Sequence, residues 1–172
     1  MGIRRVVTGH TTDGKAAVVS DSEVGAVVSE GYISVLWGAD ETQAFPDDGA
    51  PHPYSTFFPP VGGFRFGTMT IPPASSITRA ESKFADTMRV FEKKFPDFAE
   101  RMQKDNPGMH QSDTIDCLYI ISGEVWMELD DGKEVHLKAG DTVVQNGTNH
   151  AWRNKGTEPC TFIGCLIGAN RK

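Results

Sequence analysis

The feature that most constrains the fold is a row of polar residues within a stretch of otherwise strand-like sequence. His110, Ser112, Thr114 and Asp116 occupy every second position of this stretch. Side chains alternate between the two faces of a β-strand, so a regular strand would point all four to the same side. Because buried polar groups without partners are costly, the row predicts a metal site, a substrate site or a proton-transfer site inside a β-structure.

A second segment of the same character lies closer to the C-terminus. It begins at Gly140 and contains Gly147, His150 and Asn154, with Trp152 two positions after the histidine. On a strand, Trp152 and His150 would share a face. We expect Trp152 either to stack on a bound substrate or to pack in the core, and the sequence does not choose between the two.

These two segments resemble the two sequence motifs of the cupin superfamily. In the first motif His110 matches the first family histidine, Ser112 stands where a second histidine is usual, and Asp116 stands where a glutamate is usual. Gly123 closes this motif at the family spacing, whereas the leading glycine is missing. In the second motif, the matching residues are Gly140, Gly147, His150 and Asn154. The family proline is missing, and the spacing between the two glycines is one residue shorter than in the family.

The resemblance covers roughly residues 64–167 and implies an all-β fold, the cupin-type double-stranded β-helix or jelly-roll barrel. We therefore expect a single domain over residues 1–172. Residues 1–63 would form N-terminal strands and a loop, and residues 64–167 would form the barrel. In this family an N-terminal extension often packs across a neighbouring subunit, so the resemblance also implies a homodimer.

A helical insertion is predicted at about residues 79–105, between the entry strand of the barrel and the first motif. Pro96 cannot lie inside a helix without a kink or break, so two helices are expected at about 79–94 and 96–105. The apolar residues follow a helical period, at Phe84, Met88, Phe91, Phe95, Phe98 and Met102. This stripe either packs on the barrel or a partner subunit, or forms a lid, because the insertion ends close to His110.

His110, Asp116 and His150 are the candidate catalytic residues, and the resemblance also makes them candidate metal ligands. Two histidines and one carboxylate suit a divalent metal such as Fe, Zn, Mn or Ni, although the familiar cupin set is three histidines and one glutamate. Without a metal, a histidine beside a carboxylate is a general acid–base pair. Ser112 and Thr114 either orient a substrate oxygen or line the barrel.

The composition excludes some classes of function. The net charge is −6 and the basic residues are scattered, so no nucleic-acid-binding patch is expected. No apolar run approaches the roughly 20 residues that cross a bilayer, so no membrane partner is expected. Three cysteines in apolar, strand-like contexts predict reduced core thiols and a cytoplasmic location.

The functional expectation is a small-molecule enzyme. Loss of the second family histidine favours proton-transfer chemistry, such as dehydration, isomerisation or decarboxylation, over oxygen-dependent cleavage, which needs a firmly held redox metal. The alternative is a non-catalytic cupin that only binds a ligand in its barrel. Retention of two histidines and a carboxylate favours the enzyme, because a site that only binds has little need of all three.

Overall fold

A computed structural model describes residues 2–25, 32–77 and 81–172. In the first two helices, the side chains of residues 77, 81–85, 87 and 88 lie outside this description. Phe84 and Met88 of the predicted apolar stripe are among them. The helices are α1 (Ala74–Ile77), α2 (Glu81–Lys94) and α3 (Pro96–Glu100). The strands, in chain order, are β1 (Ile3–His10), β2 (Ala16–Val24), β3 (Ile33–Ala39), β4 (Phe64–Ile71), β5 (Thr114–Ser122), β6 (Glu124–Glu128), β7 (Glu134–Lys138), β8 (Thr142–Asn146), β9 (Ala151–Arg153) and β10 (Cys160–Gly168).

The strands of the described residues form three antiparallel sheets. β1 and β2 make a hairpin, β3-β4-β10-β5-β8 make a five-stranded sheet, and β7-β6-β9 make a three-stranded sheet. The all-β, double-stranded β-helix prediction is therefore confirmed, with few helices added. The first motif lies on and before β5, and the second spans β8 and β9.

A hydrophobic core lies between the five-stranded and three-stranded sheets. Leu118, Ile120 and Phe162 contribute from the larger sheet, and Val125 and Leu137 contribute from the smaller one. Alternate residues of β5 are buried, so the inward face of this strand continues from Thr114 and Asp116 to Leu118 and Ile120. Polar site residues and apolar core residues therefore share one face of one strand.

The sheets are not closed into a continuous barrel, which corrects the predicted barrel geometry. The ladder that would begin at His110 is interrupted before β5. His110 instead forms isolated bridges with Met102 and His150, and β5 begins only at Thr114. The expectation of one regular strand from residue 110 to residue 116 is thus wrong for its first half.

The helical insertion is confirmed, and it is broken at Phe95, directly before Pro96. Its second helix ends at Glu100, so the predicted extension to residue 105 is wrong, and residues 79 and 80 lie outside the described residues. Phe91, Phe95 and Phe98 are buried against Phe57, Phe58 and apolar residues of β3. The described part of the stripe therefore packs on its own chain.

The three cysteines differ in exposure. Cys160 is buried, Cys165 is half-buried and Cys117 is exposed. The prediction of core thiols is wrong for Cys117, because inward-facing Asp116 and Leu118 on either side turn it outward. Within the residues that the structure describes, no helix has the length and apolar character needed to cross a membrane.

Candidate active site

The structure brings the two predicted histidines into contact. The backbone N–H of each donates to the carbonyl of the other, with N–O distances of 3.0 Å in both directions. The two imidazole centroids are 4.3 Å apart, and the rings are tilted by 49°. His150 is almost fully buried, whereas His110 is half-buried beside the rings of Phe58 and Phe98.

Burial keeps both imidazoles neutral near neutral pH. The pKa of His150 is lowered to about 4 by burial and, to a smaller extent, by the nearby His110, and the Thr148 carbonyl partly opposes the shift. Burial also lowers the pKa of His110, with the Gly108 carbonyl opposing and the Arg101 charge adding to the effect. The site therefore holds two neutral imidazoles, and each must carry its single ring proton on one nitrogen.

The proton of His110 lies on Nδ1. This nitrogen is 3.0 Å from the backbone carbonyl oxygen of Gly108. A carbonyl oxygen can only accept, so Nδ1–H is the donor and Nε2 of the neutral ring keeps its lone pair. His110 can therefore accept a proton from another molecule through Nε2.

The proton of His150 lies on Nε2, because of Gln145. The Gln145 side-chain oxygen accepts the Gly147 N–H at 2.7 Å, and its nitrogen donates to the Thr148 carbonyl at 2.6 Å. In the flipped amide, the nitrogen would face the Gly147 N–H and the oxygen would face the Thr148 carbonyl. A donor would then face a donor and an acceptor an acceptor, so this orientation is fixed. The amide nitrogen also lies 2.7 Å from Nδ1 of His150, which must then accept.

The Thr148 carbonyl is a competing acceptor for Nδ1 of His150, at 3.1 Å. The amide nitrogen is nearer, at 2.7 Å, and two donors cannot face each other at that distance, so we assign the ring proton to Nε2. The two histidines consequently carry opposite tautomers. His110 retains an unprotonated Nε2, and His150 retains a protonated Nε2.

Ser112, Thr114 and Asp116 continue the polar row into the interior, and all three are buried. The hydroxyls of Ser112 and Thr114 are 2.7 Å apart and bond to each other. Asp116 Oδ1 is buried without a hydrogen-bond partner among the described residues. Burial raises the pKa of the Asp116 carboxyl to about 6, although a hydrogen bond from Thr114 opposes the shift.

Asp116 is connected to the histidine pair through its neighbouring strand. It lies directly opposite Gln145 in the ladder between β5 and β8. Gln145 contacts His150, so one residue separates the carboxyl from the imidazole. The sequence did not assign Gln145 a role, although its position two residues before Gly147 of the second motif is the signal that could have drawn attention to it.

Trp152 lies beside His150 but belongs to the core. Its ring centroid is 5.6 Å from the His150 ring at an interplanar angle of 82°, and 5.1 Å from the Phe162 ring. It packs against the residues between the two sheets. The core-packing alternative for Trp152 is therefore the one that the structure supports.

The motif glycine Gly147 and the motif asparagine Asn154 serve the backbone. Gly147 has a φ of 59°, and a Cβ there would lie 2.9 Å from the Ser112 carbonyl oxygen, so only glycine fits this turn without strain. Asn154 is buried, and its amide nitrogen donates to the carbonyls of Ile71 and Glu158 at 2.8 Å each.

Residues 101–165, which include both motifs, match the family model described as a cupin domain. Over this segment, which is 65 of its 172 residues, the chain is similar to the cupin superfamily. The curated relatives align over a shorter stretch. Phomopsin biosynthesis cluster proteins C′ and D of Diaporthe leptostromiformis are each 47% identical over 47 residues, which is 27% of this chain and 25% of theirs. Oryzines biosynthesis cluster protein J of Aspergillus oryzae is 44% identical over 48 residues, or 28% of this chain and 27% of its own.

The aligned segment thus spans about a quarter of these relatives. Two solved structures are similar to this chain at low identity. An RmlC-like cupin family protein with a double-stranded β-helix fold, from Methanocaldococcus jannaschii, is 16% identical, with a TM-score of 0.39 over 61% of this chain and 70% of that one. A cupin 2 conserved barrel domain protein from Salinispora arenicola is also 16% identical, with a TM-score of 0.39 over 68% and 71%.

The residues of this chain do not fit the metal that the resemblance suggests. His150 offers no lone pair, because Gln145 donates to Nδ1 and Nε2 carries the proton. Ser112, in the place of a family histidine, is a neutral hydroxyl already bonded to Thr114. Across the described part of the chain, no three His, Cys, Asp or Glu side chains are grouped so that they could hold a metal ion. The predicted ligand set of His110, Asp116 and His150 is therefore not assembled.

Proposed function

We propose that this cupin is a metal-independent enzyme that transfers a proton next to the carbonyl group of a small organic substrate. The observation that carries the proposal is the contact between two neutral imidazoles of opposite tautomer. One of them can accept a proton and the other can donate a hydrogen bond. Isomerisation and dehydration need both abilities, whereas decarboxylation needs the hydrogen-bond donor for the enolate that remains after loss of CO2 and then a proton for its carbon.

His110 acts as the general base in this proposal. Its Nε2 lone pair takes a proton from the carbon beside the substrate carbonyl, and the electrons of the broken C–H bond move into the carbonyl to give an enolate. His110 then returns the proton at a second position, or to a departing hydroxyl group. The Gly108 carbonyl stabilises the imidazolium that forms in between, because it accepts the Nδ1 proton.

His150 acts as a neutral hydrogen-bond donor. Its Nε2–H stabilises the negative charge that develops on the substrate oxygen. A neutral imidazole suits this role here, because burial disfavours its charged form and lowers its pKa to about 4. Gln145 is a positioning residue that keeps the proton on Nε2.

Asp116 is the third proton carrier of the interior. A carboxyl whose pKa is raised to about 6 exchanges protons readily near neutral pH. Its unpartnered oxygen leaves it available to a substrate hydroxyl or to a water molecule. We expect Asp116 to assist reactions that expel water, and we place Ser112 and Thr114 as interior lining rather than as reacting groups.

A solvent-exchange assay tests the proposal without knowledge of the substrate. The full chain, dialysed against a chelator, is incubated in deuterium oxide with a panel of small 2-oxo and 3-oxo acids, and loss of the α-proton signal is followed by proton NMR. We expect exchange for at least one member, a loss of about 100-fold in His110→Gln, and unchanged exchange in Val144→Ala on the exposed side of β8.

Two results would overturn this proposal. Exchange that appears only after Fe, Zn, Mn or Ni is added would assign the chemistry to a metal. Exchange that is undiminished in His110→Gln would remove the base. Tightly bound acids that undergo no exchange would favour the non-catalytic cupin instead.

The second candidate is a non-catalytic cupin that only binds a ligand, and the same variant distinguishes it from the enzyme. A binding-only cupin would give saturable ligand titrations that are equally strong in wild type and His110→Gln, with no exchange in either.

A further inference from the structure

A second and larger cavity lies away from the histidine pair, where the N-terminal hairpin passes over the five-stranded sheet. It is an open groove of about 570 Å³, which is within the range of small-molecule sites. Phe64 and Phe66 alternate with buried Arg65 on β4, so they share the other face of that strand. The apolar lining comes from the hairpin, from β3 and β4 and from the loop between them, and includes Ile3, Val7, Leu36, Phe45, Phe64 and Phe66.

Arg5 is the feature that distinguishes this groove from a plain apolar surface. Its guanidinium carbon lies 5.1 Å from the Trp37 ring centroid, and Nη1 donates to the Leu36 carbonyl at 2.8 Å. Its Nε is buried without an acceptor among the described residues. A planar guanidinium with unused donors is suited to bidentate recognition of a carboxylate.

Arg5 also lacks a carboxylate partner within the part of the chain that the structure describes. Six other arginines in that part each form an ion pair with an aspartate or glutamate: Arg4, Arg65, Arg89, Arg101, Arg153 and Arg171. The charge of Arg5 is thus uncompensated beside an apolar surface. A half-buried cation in this position attracts an anion, and it does so more strongly than a fully hydrated one.

The acidic side chain in the lining is engaged elsewhere. Asp47 lies 3.4 Å from His52 through one carboxylate oxygen and accepts the Gly49 N–H through the other, at 2.7 Å. The second arginine of the lining, Arg4, is paired with Asp21 on β2. Arg5 therefore remains the charged donor that is available to a ligand in the groove.

We propose that this groove binds a small molecule with one carboxylate on an apolar body. Arg5 pairs with the carboxylate, and the aromatic rings of Trp37, Phe45 and Phe66 cover the apolar part. Phe45 is 80% exposed and Phe66 is 38% exposed, so both rings lose contact with water when such a ligand binds. The site is independent of the proposed proton-transfer chemistry, because it contains neither imidazole of the pair.

Octanoate and octanol form a matched pair of probes, because they share the apolar chain and differ in the charged group. Isothermal titration of the full chain is expected to give at least tenfold tighter binding of octanoate. Arg5→Met keeps the length of the side chain and removes the charge, so it should abolish this preference and leave octanol binding unchanged. Phe45→Ser, at an exposed position that the fold does not need, should weaken both probes equally.

His110→Gln serves as the control that separates this site from the proton-transfer site, and it should bind octanoate as wild type does. Equal affinity of wild type for octanoate and octanol would overturn the proposal, as would the absence of octanoate binding. Octanoate binding that requires dissociation of a dimer, followed by light scattering during the titration, would also overturn it and assign the groove to a second copy of the chain.

Discussion

The amide nitrogen of Gln145 lies 2.7 Å from Nδ1 of His150, and this contact decides which nitrogen of the imidazole bears the proton. A histidine that binds a metal usually donates its other ring N–H to an acceptor. Here the nearer of two neighbours is a donor, the Gln145 amide, which the Gly147 N–H and the Thr148 carbonyl hold in place, while the Thr148 carbonyl lies farther from Nδ1, at 3.1 Å. One side chain thus turns a family metal position into a neutral hydrogen-bond donor.

Gln145→Glu should reverse the tautomer of His150. A carboxylate at this position accepts a hydrogen bond, so the ring proton is expected to move from Nε2 to Nδ1. Nitrogen-15 NMR of labelled histidine at pH 7 reports the protonated nitrogen directly. Gln145→Leu is the matched control, because it neither donates nor accepts and leaves the Thr148 carbonyl as the partner of Nδ1. A wild-type spectrum with the proton on Nδ1 would contradict the assignment.

Much of the fold could be predicted from the sequence, because local rules apply at the decisive residues. The break at Pro96 follows from a missing N–H and a steric clash, both independent of tertiary context. The inward direction of Asp116 follows from the alternation of β5. The two motif histidines lie side by side, but they are paired through an isolated bridge and do not lie on regular strands.

The remainder depends on hydrogen bonds of individual side chains, which neither strand periodicity nor motif spacing specifies. The Gln145 amide is fixed by Gly147 and Thr148, only two and three residues away, yet no residue pattern indicates it. The end of α3 at Glu100 coincides with the bridge between Met102 and His110. The opposite tautomers arise from these local contacts, so residue types alone suggested a metal site.

Phe98→Ala should strongly destabilise the protein. The Phe98 ring lies 4.9 Å from the Phe91 ring and 5.4 Å from the Phe57 ring, centroid to centroid, and its removal leaves a cavity in the aromatic cluster. The expected loss in free energy of unfolding is about 3–5 kcal/mol. Urea denaturation measures this loss. The control Val90→Ala, at an exposed position of α2, should change the free energy of unfolding by less than about 0.5 kcal/mol. A similar effect of both substitutions would mean that the helices do not pack as described.

A homodimer remains a prediction. The hairpin of β1 and β2 forms a sheet of its own, and Val18 and Val19 on β2 are 64% and 47% exposed. Apolar residues on an isolated hairpin are expected to be covered by a partner. Light scattering should therefore give twice the chain mass of 18.8 kDa, and Val18→Asp with Val19→Asp should reduce it to one chain mass. A single chain mass for wild type at micromolar concentration would contradict the dimer.

Asp116 and His150 should influence acid stability in opposite directions. The pKa of Asp116 is raised from 3.8 to about 6, so its stabilising contribution is complete below pH 3.8 and is lost as the pH rises through 6. The pKa of His150 is lowered from 6.5 to about 4, so its contribution is complete above pH 6.5 and is lost as the pH falls through 4. Each shift corresponds to about 3 kcal/mol in the free energy of unfolding. As the pH rises from 4 to 6, the loss due to Asp116 and the gain due to His150 nearly cancel.

Single substitutions should separate the two contributions. The free energy of unfolding of Asp116→Asn minus that of wild type should rise by about 3 kcal/mol from pH 4 to pH 6. The reason is that the variant has no carboxyl that must ionise in the interior. The same difference for His150→Gln should fall by a similar amount over the same range, because the imidazole that resists protonation is gone. Urea denaturation at closely spaced pH values measures both differences, and Val144→Ala, which removes no titrating group, should run parallel to wild type. Differences that are flat with pH for either variant would mean that the corresponding side chain is not buried as the structure places it.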